Sequence, residues 1–171
     1  MKKEVLCHDN QKNEFLVDIK KFRFRPSVYG LLIRDGKILL SPQHDGYDFP
    51  GGGVNMDESL KEALQREFWE ETGLRVKLGQ IIEAHSSFYK PSVNTVHTKD
   101  EYWNCQLIYF LVEQTGGELS LDYIDEDEKG YLSLATWIDI DKLDKLKFYN
   151  QLGSKGSIDL IKSQIKISLV S

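Results

Sequence analysis

Short apolar runs dominate this chain, and a helical rhythm replaces them in only three places. "FRFRPSVYGLLI" reads as a strand, with Pro26 implying that its first part is an edge or a bulge, since proline cannot donate to a ladder. Arg34 to Gly36 ("RDG") is a tight turn, and "KILLS" returns as the second arm of a hairpin. The glycine-rich loop "DGYDFPGGGVNMDE" then feeds a helix from about Asp57 to Thr72, with Gly73 placed to stop it. "LRVKLGQIIEAHSS" predicts one or two further strands, and "EYWNCQLIYFLVE", closed by the turn "QTGGE", is the most strand-like stretch of all. "YLSLATWIDI" predicts another strand, followed by a helical "DIDKLDKLKF". In the tail, Ile158, Ile161, Ile165 and Leu169 recur at helical spacing behind Ser157, a suitable N-cap. Strands outnumber helices without alternating with them. That favours a mixed sheet with helices packed on it, an α+β arrangement, over a doubly wound parallel fold.

One helix breaks its own pattern. At about 100° per residue with Leu60 as zero, Ala63, Leu64 and Phe68 fall at about −60°, 40° and 80° and define the face that packs on the sheet. Glu67 and Glu71 fall at about −20° and 20°, in the middle of that face, with Glu70 on its shoulder. Carboxylates set against a core must be neutralised or paired, and Arg66 can pair with only part of this cluster. Three converging acids suit hard divalent ions such as Mg²⁺ or Mn²⁺, which take oxygen ligands. A Glu-rich helix is otherwise common as a solvated surface. The preceding "FPGGGVNMDE" tips the balance toward a site, because glycines let the backbone approach a ligand closely.

Composition narrows the partners. The 171 residues suffice for one domain spanning 1–171, with residues 1–22 an appended strand or hairpin region. Hydrophobic residues make up 40% and charged residues 29%, ordinary for a globular chain, and the net charge of −5 gives no broad pull on nucleic acid or anionic membrane. Cys7 and Cys105 form no pattern, and lone thiols without an export signal are expected to be reduced. The opening "MKKEVLCHDNQKNE" has no apolar h-region and no run approaches a membrane span, so a cytoplasmic protein is expected.

Gly52, Glu58, Arg66, Glu67, Phe68, Glu70, Glu71, Gly73 and Leu74 occupy every defined position of the Nudix box, nine positions over 23 residues. The chain therefore resembles the Nudix (MutT-like) hydrolases, and the hairpin, "FPGG" and "WIDIDKL" extend the likeness over Arg23 to about Phe148. The resemblance implies an α/β/α sandwich around a mixed sheet. It also implies hydrolysis of a nucleoside diphosphate linked to another group, with Mg²⁺ or Mn²⁺ as cofactor. By the same resemblance Glu67, Glu70 and Glu71 hold metal, with the Gly51 carbonyl a further ligand, while Arg66, Glu58 and Gly52 orient the glutamates and fix the loop. Divalent ions would neutralise the diphosphate and lower the pKa of a bound water. Glu70 or Glu67 would take that water's proton, with Arg66 beside them in the catalytic group.

Outside the box, Glu126 and Glu128 in "LDYIDEDEKGYL" either complete a metal shell or form a solvated loop, the second being favoured. Tyr47 stands where many Nudix proteins look to have Trp, at the mouth of the site. "HSSFYKPSVNTVHTKDEYW", His85 to Trp103, predicts a long polar connection whose Tyr89 and Trp103 could stack on a base, although strand-end aromatics are more often core. His44, His85 and His97 lack metal-ligand spacing and receive no role. A small nucleotide-type partner is expected, nucleic acid and membrane are not, and a homodimer through the N-terminal strands or C-terminal helix is an option the resemblance leaves open. The competing reading is a non-catalytic nucleotide sensor on the same fold, which would normally show an eroded box.

Overall fold

The computed structural model describes residues 3–9, 11, 13–43, 46–91, 101–124, 129–130, 132–148, 159 and 162–163. Its strands are β1 (Glu4–Asp9), β2 (Glu14–Asp18), β3 (Phe22–Arg34), β4 (Lys37–Gln43), β5 (Gly46–Asp48), β6 (Gly51–Gly53), β7 (Leu74–Lys90), β8 (Tyr102–Gly117) and β9 (Thr136–Asp139), with helix α1 (Leu60–Thr72) after β6. The described strands join in one sheet ordered β2-β1-β7-β8-β3-β4-β5, with β6 on β3 and β9 on β4. Pairing is parallel for β3 with β8 and for β1 with β7, and antiparallel elsewhere. This is the expected mixed-sheet α+β arrangement.

Strand parity divides the core in two. Val28 and Leu32 of β3 face α1 and pack with Leu39, Ala63, Leu64, Phe68 and Val112. Tyr29 and Leu31 face the other way and pack with Ile38, Leu40, Phe49, Leu107 and Tyr109. A period of two does this without further instruction. Gly30 lies opposite α1 because a Cβ there would stand 2.7 Å from the Phe68 ring.

Four expectations change. Pro26 lies inside the continuous β3–β8 ladder, neither bulged nor at its edge. Its carbonyl accepts from Val54 on the opposite side, so the missing N–H also points there, just past the last β3–β6 pair, and costs the β8 ladder nothing. Helix α1 begins at Leu60, because Ser59 caps it in a capping box with Glu62. The supposed connection from His85 begins as strand: β7 runs to Lys90 and β8 starts at Tyr102, their partners including Ser87 with Cys105 and Tyr89 with Trp103. Two adjacent polar residues, Ser86 and Ser87, and two adjacent aromatics, Phe88 and Tyr89, break the alternation that would have marked that strand. Finally, "YLSLATWIDI" pairs as a strand only over Thr136–Asp139, and Ile140–Lys145 is a 3-10 turn. Most of the tail helix expected at 157–170 lies outside the described residues, as do His44, His97, Glu126 and Glu128.

Candidate active site

Each glycine of the triplet is pressed against something. Gly51 has φ of 145°, and a Cβ there would meet the Val28 carbonyl oxygen at 2.1 Å. At Gly52 a Cβ would stand 2.7 Å from all three atoms of the Glu67 carboxyl group, and at Gly53 it would stand 3.0 Å from an Arg25 guanidinium nitrogen. Strand β6 is thus sequence-poor because it lies between β3 and the inward carboxylates of α1, with Gly51, Gly52 and Gly53 opposite Tyr29, Val28 and Ser27. The loop and the helix are two halves of one surface.

Helix α1 is fixed on that surface by Ala63, Leu64 and Phe68, all fully buried. The angular positions hold in three dimensions, for Glu67 and Glu71 are buried with them, only 9% and 7% exposed. Glu71 accepts from the Ser41 hydroxyl at 3.0 Å and from the Gly51 N–H at 3.3 Å. Arg66 gathers the rest: Glu58 at 2.6 and 3.0 Å, Glu70 at 2.9 Å, Glu67 at 3.0 Å and the Gly53 carbonyl at 3.1 Å. Hydrogen bonding to Arg66 chiefly, with the Asn55 N–H helping, holds Glu58 down to about 2. Arg66 is driven upward in return, by Glu58 first and then by Glu67 and Glu70.

The structure therefore brings together Gly51, Gly52, Glu58, Arg66, Glu67, Glu70 and Glu71. Among the described residues no group of three or more His, Cys, Asp or Glu side chains is arranged to hold a metal ion, and a guanidinium stands among three of the carboxylates instead. Tyr47, Tyr89 and Trp103 go elsewhere. All three pack against the core on the sheet face turned away from α1. Tyr89 and Trp103 lie 6.1 Å apart, and Arg25 lies over the Trp103 ring at 4.5 Å. Sequence reasoning missed Ser41 and Arg25. Parity along "FRFRPS" was the available signal, since it sets Arg25 on the same face as Ser27 and Tyr29, beside the glycine strand. His85, given no role, lies on this face with its ring stacked on Tyr109.

An open groove of about 510 Å³ beside α1 is lined by Gln65, Arg66, Trp69, Arg75, Val76 and Thr115. Its aromatic member is already engaged, Trp69 stacking on Tyr123 at 4.2 Å and under Arg75. No helix among the described residues is long and apolar enough to cross a membrane.

Comparison with known proteins agrees with this geometry. The NUDIX domain profile matches residues 23–158. An RNA pyrophosphohydrolase of Xanthomonas campestris pv. campestris (strain B100) is 36% identical over 115 residues, covering 61% of this chain and 56% of that protein. The match thus spans little more than half the length of such relatives. Among solved structures, an ADP-ribose pyrophosphatase from Streptococcus suis 89-1591 superposes with a TM-score of 0.56 at 20% identity, covering 81% of this chain and 91% of that one. A MutT protein from Methanosarcina mazei Go1 gives 0.55 at 23%, covering 85% and 98%. At such identities the structural likeness speaks for the fold.

Proposed function

The chain belongs to the Nudix family, and from that premise we propose that it is a metal-dependent pyrophosphohydrolase, cleaving the diphosphate linkage of a nucleoside diphosphate joined to another group by attack of water at phosphorus. One observation carries this reading: the box carboxylates are intact and two of them, Glu67 and Glu71, lie on the glycine strand, with Glu67 filling the space that a side chain at position 52 would need. A sensor has no need to keep that set.

The donors suit Mg²⁺ or Mn²⁺ in kind, being carboxylate oxygens held close to a backbone that a diphosphate can approach. Arg66 is the cation that stands among them in this structure, as a cluster of acids demands. Glu67, Glu70 and Glu71, with the Gly51 carbonyl, would hold the ion, leaving Arg66 on Glu58 and on the Gly53 carbonyl as a positioning residue. When bound, the ion supplies charge neutralisation on the diphosphate and a water of lowered pKa. Glu70 has the more exposed side chain of the two candidate bases, 22% against 12% for the Glu67 side chain, and we assign it the water's proton. The same reading takes 1–171 as one domain carrying the β1–β2 hairpin.

Substrates to compare are nucleoside triphosphates, nucleotide sugars, ADP-ribose and dinucleoside polyphosphates. Relatives named RNA pyrophosphohydrolases add RNA to this panel, against which the net charge of −5 argues. Incubation with Mg²⁺ or Mn²⁺, measuring phosphate and nucleotide products, should show turnover of one class. Glu70→Gln should then lose about 10²–10⁴-fold in rate. Tight ligand binding without turnover across the whole panel would replace the hydrolase with a sensor.

A further inference from the structure

The β1–β2 hairpin buries one of its faces and leaves an apolar pair on the other. Its strands run antiparallel, with Glu4 opposite Asp18, Leu6 opposite Leu16 and His8 opposite Glu14. Cys7 and Val17, at the intervening parity, are 1% and 4% exposed and belong to the buried face. Leu6 and Leu16 face the other way and are 54% and 66% exposed. At the two ends of the ladder the Asp9 N–H donates to the Asn13 carbonyl and the Ile19 N–H to the Lys3 carbonyl, so the hydrogen-bonded pairs fall at odd positions. Leu6 and Leu16 are thus a non-hydrogen-bonded pair, the kind whose side chains stand closest.

The same parity exposes the backbone. Strand β2 ends the sheet order, with β1 on one side and no described strand on the other. Because its odd residues bond to β1, the N–H and C=O groups of Glu14, Leu16 and Asp18 point outward along the open edge. The side chains of these three residues are exposed too, in the order acid, leucine, acid. Glu4 adds a third carboxylate opposite Asp18, and the side chains of Glu4 and Glu14 have no ion pair or hydrogen bond among the described residues. Asp18 uses one oxygen on the Lys20 N–H. Charge on an edge strand keeps other strands away, and charge of one sign keeps away only partners of that sign.

We propose that the outer edge of β2 docks an extended segment of a partner protein, which adds to the sheet as an antiparallel strand and carries a basic, an apolar and a second basic residue at alternate positions. Main-chain hydrogen bonds to Glu14, Leu16 and Asp18 supply affinity, and the alternate side chains supply the choice of partner. The apolar residue lies opposite Leu16 and extends the exposed Leu6–Leu16 pair, while the two cations lie opposite Glu14 and Asp18. A second copy of this chain fits badly. Two β2 strands paired antiparallel about Leu16 set Glu14 against Asp18 at both ends, like charge directly opposite like charge. Nor does the chain contain the complementary pattern: Lys or Arg recurs at a spacing of four only at Lys21 with Arg25 and at Lys162 with Lys166, and the midway residues there are Arg23 and Gln164. The partner is therefore a different protein.

The test is titration of the full chain at low salt with the capped peptide Thr-Lys-Thr-Val-Thr-Lys-Thr and with its counterpart bearing Glu for Lys, read from the backbone amide shifts of β2. The lysine peptide should bind about ten-fold more tightly, with the preference shrinking as salt is raised. Glu14→Lys changes an exposed side chain without a partner to lose, and should bring the two peptides to about equal affinity. N-methylation of the central Val amide, which points at β2, should abolish binding, whereas N-methylation of the Thr after it, which points away, should not. Equal affinity of the two peptides for the parent chain, or binding of neither, would overturn the proposal. So would a lysine-peptide preference that survives Glu14→Lys unchanged, the pattern of general attraction to a chain of net charge −5. A dimer in sedimentation equilibrium that Leu16→Lys dissociates would assign the edge to a second copy instead.

Discussion

The carboxylates on the α1 face of the sheet are tied to named partners, whereas Glu83 Oε2, the His85 ring nitrogens and the Tyr109 hydroxyl on the opposite face have no hydrogen-bond partner among the described residues. Glu71 has Ser41 and the Gly51 N–H, and Glu58, Glu67 and Glu70 share Arg66. Both faces bury polar groups, at similar depth. The difference teaches that the first set is partnered within the protein itself, with Arg66 standing where a cation is demanded. The second carries hydrogen-bonding capacity that no described residue meets. Chemistry requires the former.

The comparison breaks most severely at the seam between the faces, Gly51. With φ of 145° and the Val28 carbonyl oxygen 2.1 Å from where a Cβ would sit, Gly51→Ala has no flexible neighbour to push aside. We expect a loss of about 3–5 kcal/mol in urea unfolding, or failure to fold. Gly36→Ala is the control, for its φ of 72° is strained but nothing lies within 4 Å of the new Cβ. It should cost about 1–2 kcal/mol. Equal losses at the two positions would mean that strain, not the contact with β3, accounts for Gly51.

These two faces were not equally legible. The α1 face is written locally: Glu67 and Glu71 out of phase with the polar side, three glycines a short interval before, and a left-handed stop at Gly73 with φ of 71°. Angular arithmetic on a single helix finds all of it. The opposite face is assembled by register between strands distant in sequence, so that Glu83, Tyr109 and Gly51 meet only once β7, β8, β3 and β6 are paired. No local pattern carries that, and the same blindness made the end of β7 read as a loop. It also left open the facing of Tyr89 and Trp103, read as residues that could stack on a base, while parity packs both on the core face turned away from α1. Ser59 as the cap, by contrast, was readable: Ser59 with Glu62 is a capping box in plain sequence, obscured by Asp57, an equally good capping residue two positions earlier.

The partnering on the α1 face is sharpened by removing its cation. Arg66→Met leaves Glu58, Glu67 and Glu70 facing one another and should cost about 1–3 kcal/mol at pH 7 and low salt. Millimolar Mg²⁺ should restore part of that loss, since an ion can replace the guanidinium. The pH dependence fixes the cause. Glu58 is held at about 2, below its ordinary value of 4.5, so its contribution is complete above pH 4.5 and disappears as pH falls toward 2. The difference between Arg66→Met and the parent chain should therefore be greatest at neutral pH and shrink across that window. A difference that stays constant to pH 2 would assign the loss to packing of the arginine stem.

The smallest effect separates rigidity of the helix from rigidity of its carboxylates. Ser59 accepts from the Glu62 N–H at 3.3 Å, and Glu62 reaches back to the Ser59 N–H at 2.9 Å. Ser59→Ala should cost about 1 kcal/mol by fraying the first turn, and Ser59→Asp should recover most of it. Glu67, Glu70 and Glu71 begin two turns further on and are held by Arg66, Ser41 and the glycine strand rather than by the cap. Turnover by Ser59→Ala should accordingly stay within about two-fold of the parent chain, because additivity holds for sites without shared partners. If turnover fell in proportion to a much larger factor, the carboxylates would depend on the helix as a whole, and their partners would be a consequence of its placement instead of its cause.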